Sequence, residues 1–62
     1  MILLTQIKSD GSAVSMIIKK ENFLEANSDQ GVVWVKYFDP SASTYRSMKV
    51  RETLTELAKQ WS

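Results

Sequence analysis

The chain has 62 residues, of which 44% are hydrophobic, and it contains neither cysteine nor histidine. A domain of this size buries only about 60% of the surface that its unfolded chain exposes, so its core is thin and a second copy would add burial. The missing cysteines exclude a disulfide framework, and we expect no metal site or other cofactor. Eight basic and seven acidic residues give a net charge of +1, unlike a strongly basic nucleic-acid module.

The apolar N-terminus, residues 1–4, is followed at once by the polar residues Thr5, Gln6 and Lys8. This apolar stretch is too short for a signal peptide or a membrane span. We therefore expect a single small domain over residues 1–62 that is cytoplasmic and does not contact a membrane.

Two apolar segments, residues 2–7 and 13–18, predict the first two strands. Asp10 and Gly11 lie between them and are typical of a β-hairpin, because both tolerate the positive φ that tight turns require. The chain then continues with three predicted segments: a turn or a single helical turn over residues 19–22, a short third strand over residues 23–26 and a turn over residues 27–31.

Residues 31–38 are the densest run of β-branched and aromatic residues and predict a central strand. Side chains alternate between the two faces of a strand, and here both faces are largely apolar. A strand of this kind needs cover on both faces, which favours a small closed sheet or a subunit interface. One predicted face carries Val33, Val35 and Tyr37, and the other carries Val32, Trp34 and Phe38.

Pro40 predicts the end of this strand near Phe38 or Asp39, because proline lacks a backbone donor and biases the preceding residue away from helix. After a turn over residues 39–43, a final strand is predicted over residues 44–50. Along it, Arg46, Met48 and Val50 alternate with Tyr45, Ser47 and Lys49.

The last element is a predicted helix that begins at Thr53. Thr53 and Glu56 have the spacing of a capping box, in which each side chain binds the other residue's backbone N–H. The residues expected on its apolar face are Leu54, Leu57, Ala58 and Trp61. The predicted fold is therefore α+β, with about five short antiparallel strands in a curled sheet or small barrel and one C-terminal helix. The thin core favours a homodimer.

No motif in the sequence indicates catalysis. Gly11 and Gly31 are the only glycines, and neither precedes a helix start, so we predict no phosphate-binding loop. Without histidine, general acid–base catalysis needs a carboxyl with a shifted pKa, and the acidic residues show no pairing. We expect no enzymatic activity and no catalytic residue.

Two features point to binding. The first is the pair Trp34 and Phe38, which form either the core beneath the helix or a protein interface. The second is a basic set with Tyr37 and Tyr45 nearby, and basic residues interleaved with aromatics on a sheet can bind phosphates and stack bases. This set, which is alternatively an ordinary charged strand face, consists of Lys36, Arg46, Lys49 and Arg51.

Three segments, residues 1–5, 21–26 and 48–57, resemble the small FlbD-like flagellar and motility proteins. Those proteins have a similar length and begin with a strand of the Met-Ile-x-Leu-Thr type. The resemblance covers most of the chain. It implies a non-catalytic accessory protein that acts through protein contacts.

Two further resemblances imply nucleic-acid binding. Residues 23–57 are similar to the first half of a LytTR DNA-binding domain. Residues 1–5, 39–40 and 50–52 are similar to parts of the CsrA family of dimeric RNA-binding regulators, and of that family's RNA contacts this resemblance carries over Arg51 alone.

We therefore predict a non-enzymatic interaction module that binds an unidentified protein partner and itself. The alternative is an RNA- or DNA-binding regulator. A cluster of the basic set on one uncovered face would favour nucleic acid, whereas its dispersal among acidic residues would favour protein contacts.

Overall fold

The computed structural model describes residues 1–61. The elements are β1 (Ile2–Ile7), β2 (Ala13–Ile18), a 3₁₀ turn (Lys20–Asn22), β3 (Phe23–Asp29), β4 (Val32–Asp39), β5 (Thr44–Val50) and α1 (Leu54–Trp61). The strands form one antiparallel sheet in the order β2-β1-β5-β4-β3. This sheet is curled but not closed into a barrel, so the predicted α+β fold is confirmed in its open form.

The hairpin turns depend on residues with positive φ. At the first turn, Gly11 has a φ of 87°, and its N–H donates to the Lys8 carbonyl at 2.9 Å. Between β3 and β4, Gln30 and Gly31 have φ values of 53° and 79°. Positive φ at both positions of a two-residue turn is the geometry of type I′, whose twist matches that of the flanking strands.

The turn predicted over residues 27–31 is present but shorter than predicted, because β3 continues to Asp29 and only Gln30 and Gly31 form the turn. Asn27, Ser28 and Asp29 have low intrinsic strand preference. They nevertheless pair with Trp34, Val33 and Val32 of β4, and this pairing overrides local preference. The third strand is therefore longer than its composition indicates.

The core lies on one face of the sheet, which we call the inner face; the opposite face is the outer face. Register places Val35 of β4 beside Met48 of β5, and Val33 beside Val50. The buried core consists of Ile2, Leu4, Ile18, Val35, Met48, Val50 and Leu57.

Helix α1 covers the inner face. The predicted capping box is confirmed: the Glu56 N–H donates to the Thr53 hydroxyl at 3.1 Å, and the Thr53 N–H donates to the Glu56 carboxylate at 2.9 Å. Leu57 is buried in the core, and the Trp61 ring lies 5.3 Å from the ring of Phe23 on β3. Within residues 1–61, the structure has no helix with the length and apolar character that crossing a membrane requires.

Strand β1 meets β5 at a single paired position, and side chains near α1 occupy the gap that opens beyond it. Gln60 accepts a hydrogen bond from the Leu3 N–H at 2.7 Å and donates one to the Leu3 carbonyl at 2.9 Å. Glu52 accepts from the Thr5 N–H at 2.8 Å and from the Thr5 hydroxyl at 2.9 Å. These two side chains take the place of a neighbouring strand.

The Glu52 carboxyl has a pKa below its ordinary value of 4.5. Burial raises this pKa, but the hydrogen bonds from the Thr5 N–H and hydroxyl, together with the nearby charge of Arg51, lower it by more. Folding therefore favours the ionised carboxylate. Its contribution to stability is fully present above pH 4.5 and is lost as the pH falls through the lower pKa of the folded state.

We predict that Glu52→Gln reduces the acid sensitivity of the fold. Glutamine keeps an oxygen that can accept from the Thr5 N–H but carries no titrating charge. The midpoint of urea unfolding, followed by circular dichroism, should fall less between pH 7 and pH 3 in the variant than in the wild type. If the urea midpoint falls by the same amount in both proteins, ionised Glu52 does not contribute to the acid sensitivity of the fold.

Candidate functional site

Three neighbouring strands present an exposed outer surface, which we call the aromatic face. Because the strands are antiparallel and in register, side chains of one parity form one column on each strand. The columns are Glu25, Asn27 and Asp29 on β3; Val32, Trp34, Lys36 and Phe38 on β4; and Tyr45, Ser47 and Lys49 on β5.

Trp34 lies in the middle of the aromatic face, with Asn27 and Lys49 as its cross-strand neighbours. Its side chain is 42% exposed, although it belongs to a strand with neighbours on both sides. Phe38 is half-buried, and its ring makes an edge-to-face contact with Tyr45 at 5.3 Å. Trp34 and Phe38 therefore lie on the outer face rather than in the core beneath the helix.

Charges of both signs lie beside Trp34. Lys36 is directly opposite Glu25 on β3, and Asp29 lies further along the same strand. A shallow groove of about 240 Å³ passes between these side chains and Trp34. The surface therefore combines an exposed aromatic centre with a mixed-charge border.

The basic set predicted from the sequence is divided between several places. Lys36 and Lys49 lie on the aromatic face, whereas Arg46 pairs with Tyr37 and belongs to the opposite side of the sheet. Arg51 follows β5 in a bend, where its N–H donates to the Thr5 carbonyl at 2.9 Å. The four side chains do not form one basic face.

Arg46 is also neutralised by an acidic neighbour. Its Nε lies 2.9 Å from the Asp39 carboxylate, which also accepts hydrogen bonds from the Ser41 hydroxyl and N–H. The bond from the Ser41 hydroxyl, with help from Arg46, holds the pKa of Asp39 below its ordinary value. Asp39 is thus ionised at neutral pH and is the partner of Arg46 within the chain.

Within residues 1–61, no three histidine, cysteine or acidic side chains lie close enough to hold a metal ion. The lowered carboxyl pKa values belong to Asp10, Asp39 and Glu52, and each is explained by hydrogen bonds to a nearby serine or threonine. These bonds stabilise two turns and the side of β1 that faces away from β2.

The β3 column of the aromatic face, which we call the acidic column, was not expected from the sequence, because residues 27–31 resemble a turn in composition. The signal that could have identified it is the alternation of Glu25, Asn27 and Asp29 with Ala26 and Ser28. Such period-two alternation is typical of a strand with one exposed face.

No family model, curated protein or solved structure matches this chain. The resemblances to FlbD-like, LytTR and CsrA proteins therefore stay predictions. We infer the function from the residues of the aromatic face.

Proposed function

We propose that this protein is a non-enzymatic interaction module that acts through protein–protein contacts at the aromatic face, with Trp34 and Phe38 as its anchors. The observation that supports this most is the half-exposed Trp34 at the centre of a mixed-charge surface. Tryptophan is enriched among the residues that contribute most to protein interfaces, and it acts best at the centre of a patch. A cytoplasmic location, as predicted from the sequence, belongs to this proposal.

The partner that this face fits best is a second copy of the chain. The acidic side chains of the aromatic face, Glu25 and Asp29, lie on β3. Lys49 lies on β5, on the other side of Trp34. The two aromatic faces would pack against each other, with a two-fold axis between them that is parallel to β4. This axis would place β3 of each copy over β5 of the other. Lys49 of one copy then lies over Asn27 of the other, between its two acidic side chains.

The same two-fold arrangement would place the apolar column of β4 at its centre. Trp34 of each copy would contact Trp34 of the other, and Phe38 would lie further along the axis. Lys36 also lies on the axis, but Glu25 is directly across from it on β3 and offsets its charge. The charges of the face are therefore self-complementary, as a two-fold interface requires.

We predict that Trp34→Ala weakens self-association. Loss of an anchoring tryptophan should raise the dissociation constant at least about tenfold, because truncating such a residue to alanine costs about 2 kcal/mol or more in many interfaces. Light scattering across a dilution series measures the average mass, and circular dichroism checks that the variant is folded. Leu54→Ala is the matched control, since Leu54 is 41% exposed but lies on the helix.

A charge exchange tests the orientation of the two copies. Lys49→Glu should weaken association, because it places three acidic side chains together across the interface. Adding Asp29→Lys to the same chain should restore part of the association, because it places a positive charge near the new carboxylate and leaves Glu25 opposite Lys36. Mass curves of Trp34→Ala and Lys49→Glu that coincide with the wild-type curve would refute the proposed interface.

The second candidate function is RNA or DNA binding. One observation favours it: Lys36 and Lys49 lie on the same uncovered face as Trp34 and Tyr45. Basic and aromatic side chains on a sheet can hold a single strand by phosphate contacts and base stacking. The division of the basic set and the acidic column on β3 favour protein contacts instead.

Under this second hypothesis, Lys49→Ala should weaken binding of a fluorescent single-stranded RNA uniformly across sequences. The slope of log affinity against log salt should fall by about one, as expected for one lost phosphate contact. Arg51→Ala should weaken binding more than tenfold if the exit of β5 also contacts RNA. Arg46→Ala is the control, because Arg46 is paired with Asp39. Fluorescence anisotropy that shows no binding at low salt, with this RNA or with a single-stranded DNA of the same sequence, would exclude this candidate.

A further inference from the structure

The two edges of the sheet differ in how they are protected. β3 carries Glu25 and Asp29 and has a bulge in its pairing with β4. β2, at the other edge, contains no charged residue and no proline, and its six residues pair with β1 without a bulge. Natural edge strands normally carry charges, prolines or bulges that prevent pairing with another chain. The β2 edge lacks these features.

Hydrogen bonds around β1 show which β2 groups are free. The backbone N–H groups of Leu3 and Thr5 donate to Gln60 and Glu52. The backbone groups of the odd-numbered β1 residues therefore point away from β2. Antiparallel pairs alternate between bonded and non-bonded positions, and each β1 residue is opposite a β2 residue of the same parity. It follows that the backbone groups of the odd-numbered β2 residues, Ala13, Ser15 and Ile17, face the open edge.

Apolar side chains border this edge on both sides of the sheet. On the outer face, Ile17 is directly opposite Leu3, and these side chains are 61% and 57% exposed. On the inner face, Val14 is exposed and Met16 is half-buried against the core. A strand added here would bury apolar surface on both of its faces.

We propose that the free edge of β2 pairs antiparallel with β2 of a second copy, with Ser15 on the two-fold axis. In this register Ile17 lies opposite the second copy's Ala13, and Val14 lies opposite the second copy's Met16. Inner side chains thus meet inner side chains, and the two sheets become continuous. No like charges meet within the paired strands, because β2 carries none.

The ends of the paired strands are also complementary in charge. Antiparallel pairing brings the C-terminal end of each β2, followed by Lys19, next to the turn that precedes the other β2. That turn carries Asp10, whose carboxylate accepts hydrogen bonds from the N–H and hydroxyl of Ser12. The contact of Lys19 with Asp10 fits a second copy of this chain as the occupant of the edge.

The pairing of the two β2 strands is independent of the aromatic face, which lies on β3, β4 and β5. A chain with two different two-fold interfaces builds assemblies larger than a dimer. The wild type should therefore exceed the mass of a dimer at high concentration. Each interface can be removed separately.

Ser15→Lys tests the edge. The Ser15 side chain is exposed on the outer face, so the substitution should not disturb the core, but it places two lysines together on the axis. In a Trp34→Ala background, Ser15→Lys should raise the remaining dissociation constant at least about tenfold and give a monomer. Thr55→Lys, which adds the same charge at an exposed helical position, should leave the mass of the Trp34→Ala protein unchanged.

Hydrogen exchange on the wild type gives a second readout that needs no substitution. The amides of Ala13, Ser15 and Ile17 should exchange slowly at high protein concentration and quickly after dilution. Exchange that is fast at every concentration would overturn the pairing of β2 with a second copy, and the edge would then fit a strand from a different protein.

The masses of the variants distinguish the two interfaces. If Trp34→Ala alone gives a monomer, the edge proposal fails and the aromatic-face proposal stands. If only Ser15→Lys lowers the mass, the aromatic-face proposal fails and the edge proposal stands.

Discussion

An eight-residue helix can cover only one face of a five-stranded sheet, and most features of this protein follow from that constraint. Leu57 is the helical side chain that enters the core, and it packs against the inner face. Strand alternation places Val33 and Val35 on that face and sends Trp34 to the other one. An apolar residue on the outer face then stays in water unless another molecule covers it.

The helix and the bend that precedes it also explain why the sheet stays open. Near the start of β1, Gln60 and Glu52 bind the backbone groups that a neighbouring strand would otherwise bind. Polar side chains thus satisfy one side of β1, and β2 satisfies the other. Since β2 is the last strand on its side, its own outer backbone groups have no neighbouring strand in the sheet. The sheet can therefore stay open although the backbone groups of β1 are hydrogen-bonded. The open sheet leaves the apolar edge of β2 without a neighbouring strand.

Local patterns in the sequence predicted the elements well. Apolar runs, the Asp10-Gly11 pair and the Thr53 capping box act over a few residues, and the corresponding strands, turn and helix start agree with the structure. The predicted third strand, residues 23–26, is shorter than the observed one. Its pairing with β4 is a tertiary effect that overrides the weak strand preference of Asn27 and Asp29.

Alternation also predicted which side chains share a face, but not which face is the core. The opposite parity of Arg46 and Lys49 already separates them on β5, whereas the position of Lys36 relative to them depends on register between strands. Strand order, and with it the identity of the two edges, depends on contacts distant in sequence. The position of the β3 acidic side chains beside Trp34, and the free edge of β2, could therefore be recognised only in the folded chain.

Residue-resolved NMR spectra across a wide dilution series test both self-contacting surfaces in one experiment. We expect concentration-dependent shifts in two groups: the Trp34 indole N–H with its neighbours on β3 to β5, and the amides of Ala13, Ser15 and Ile17. The helix amides around Ala58 should not shift. Spectra that stay identical at all concentrations, with the mass of a monomer, would show that neither surface binds a second copy.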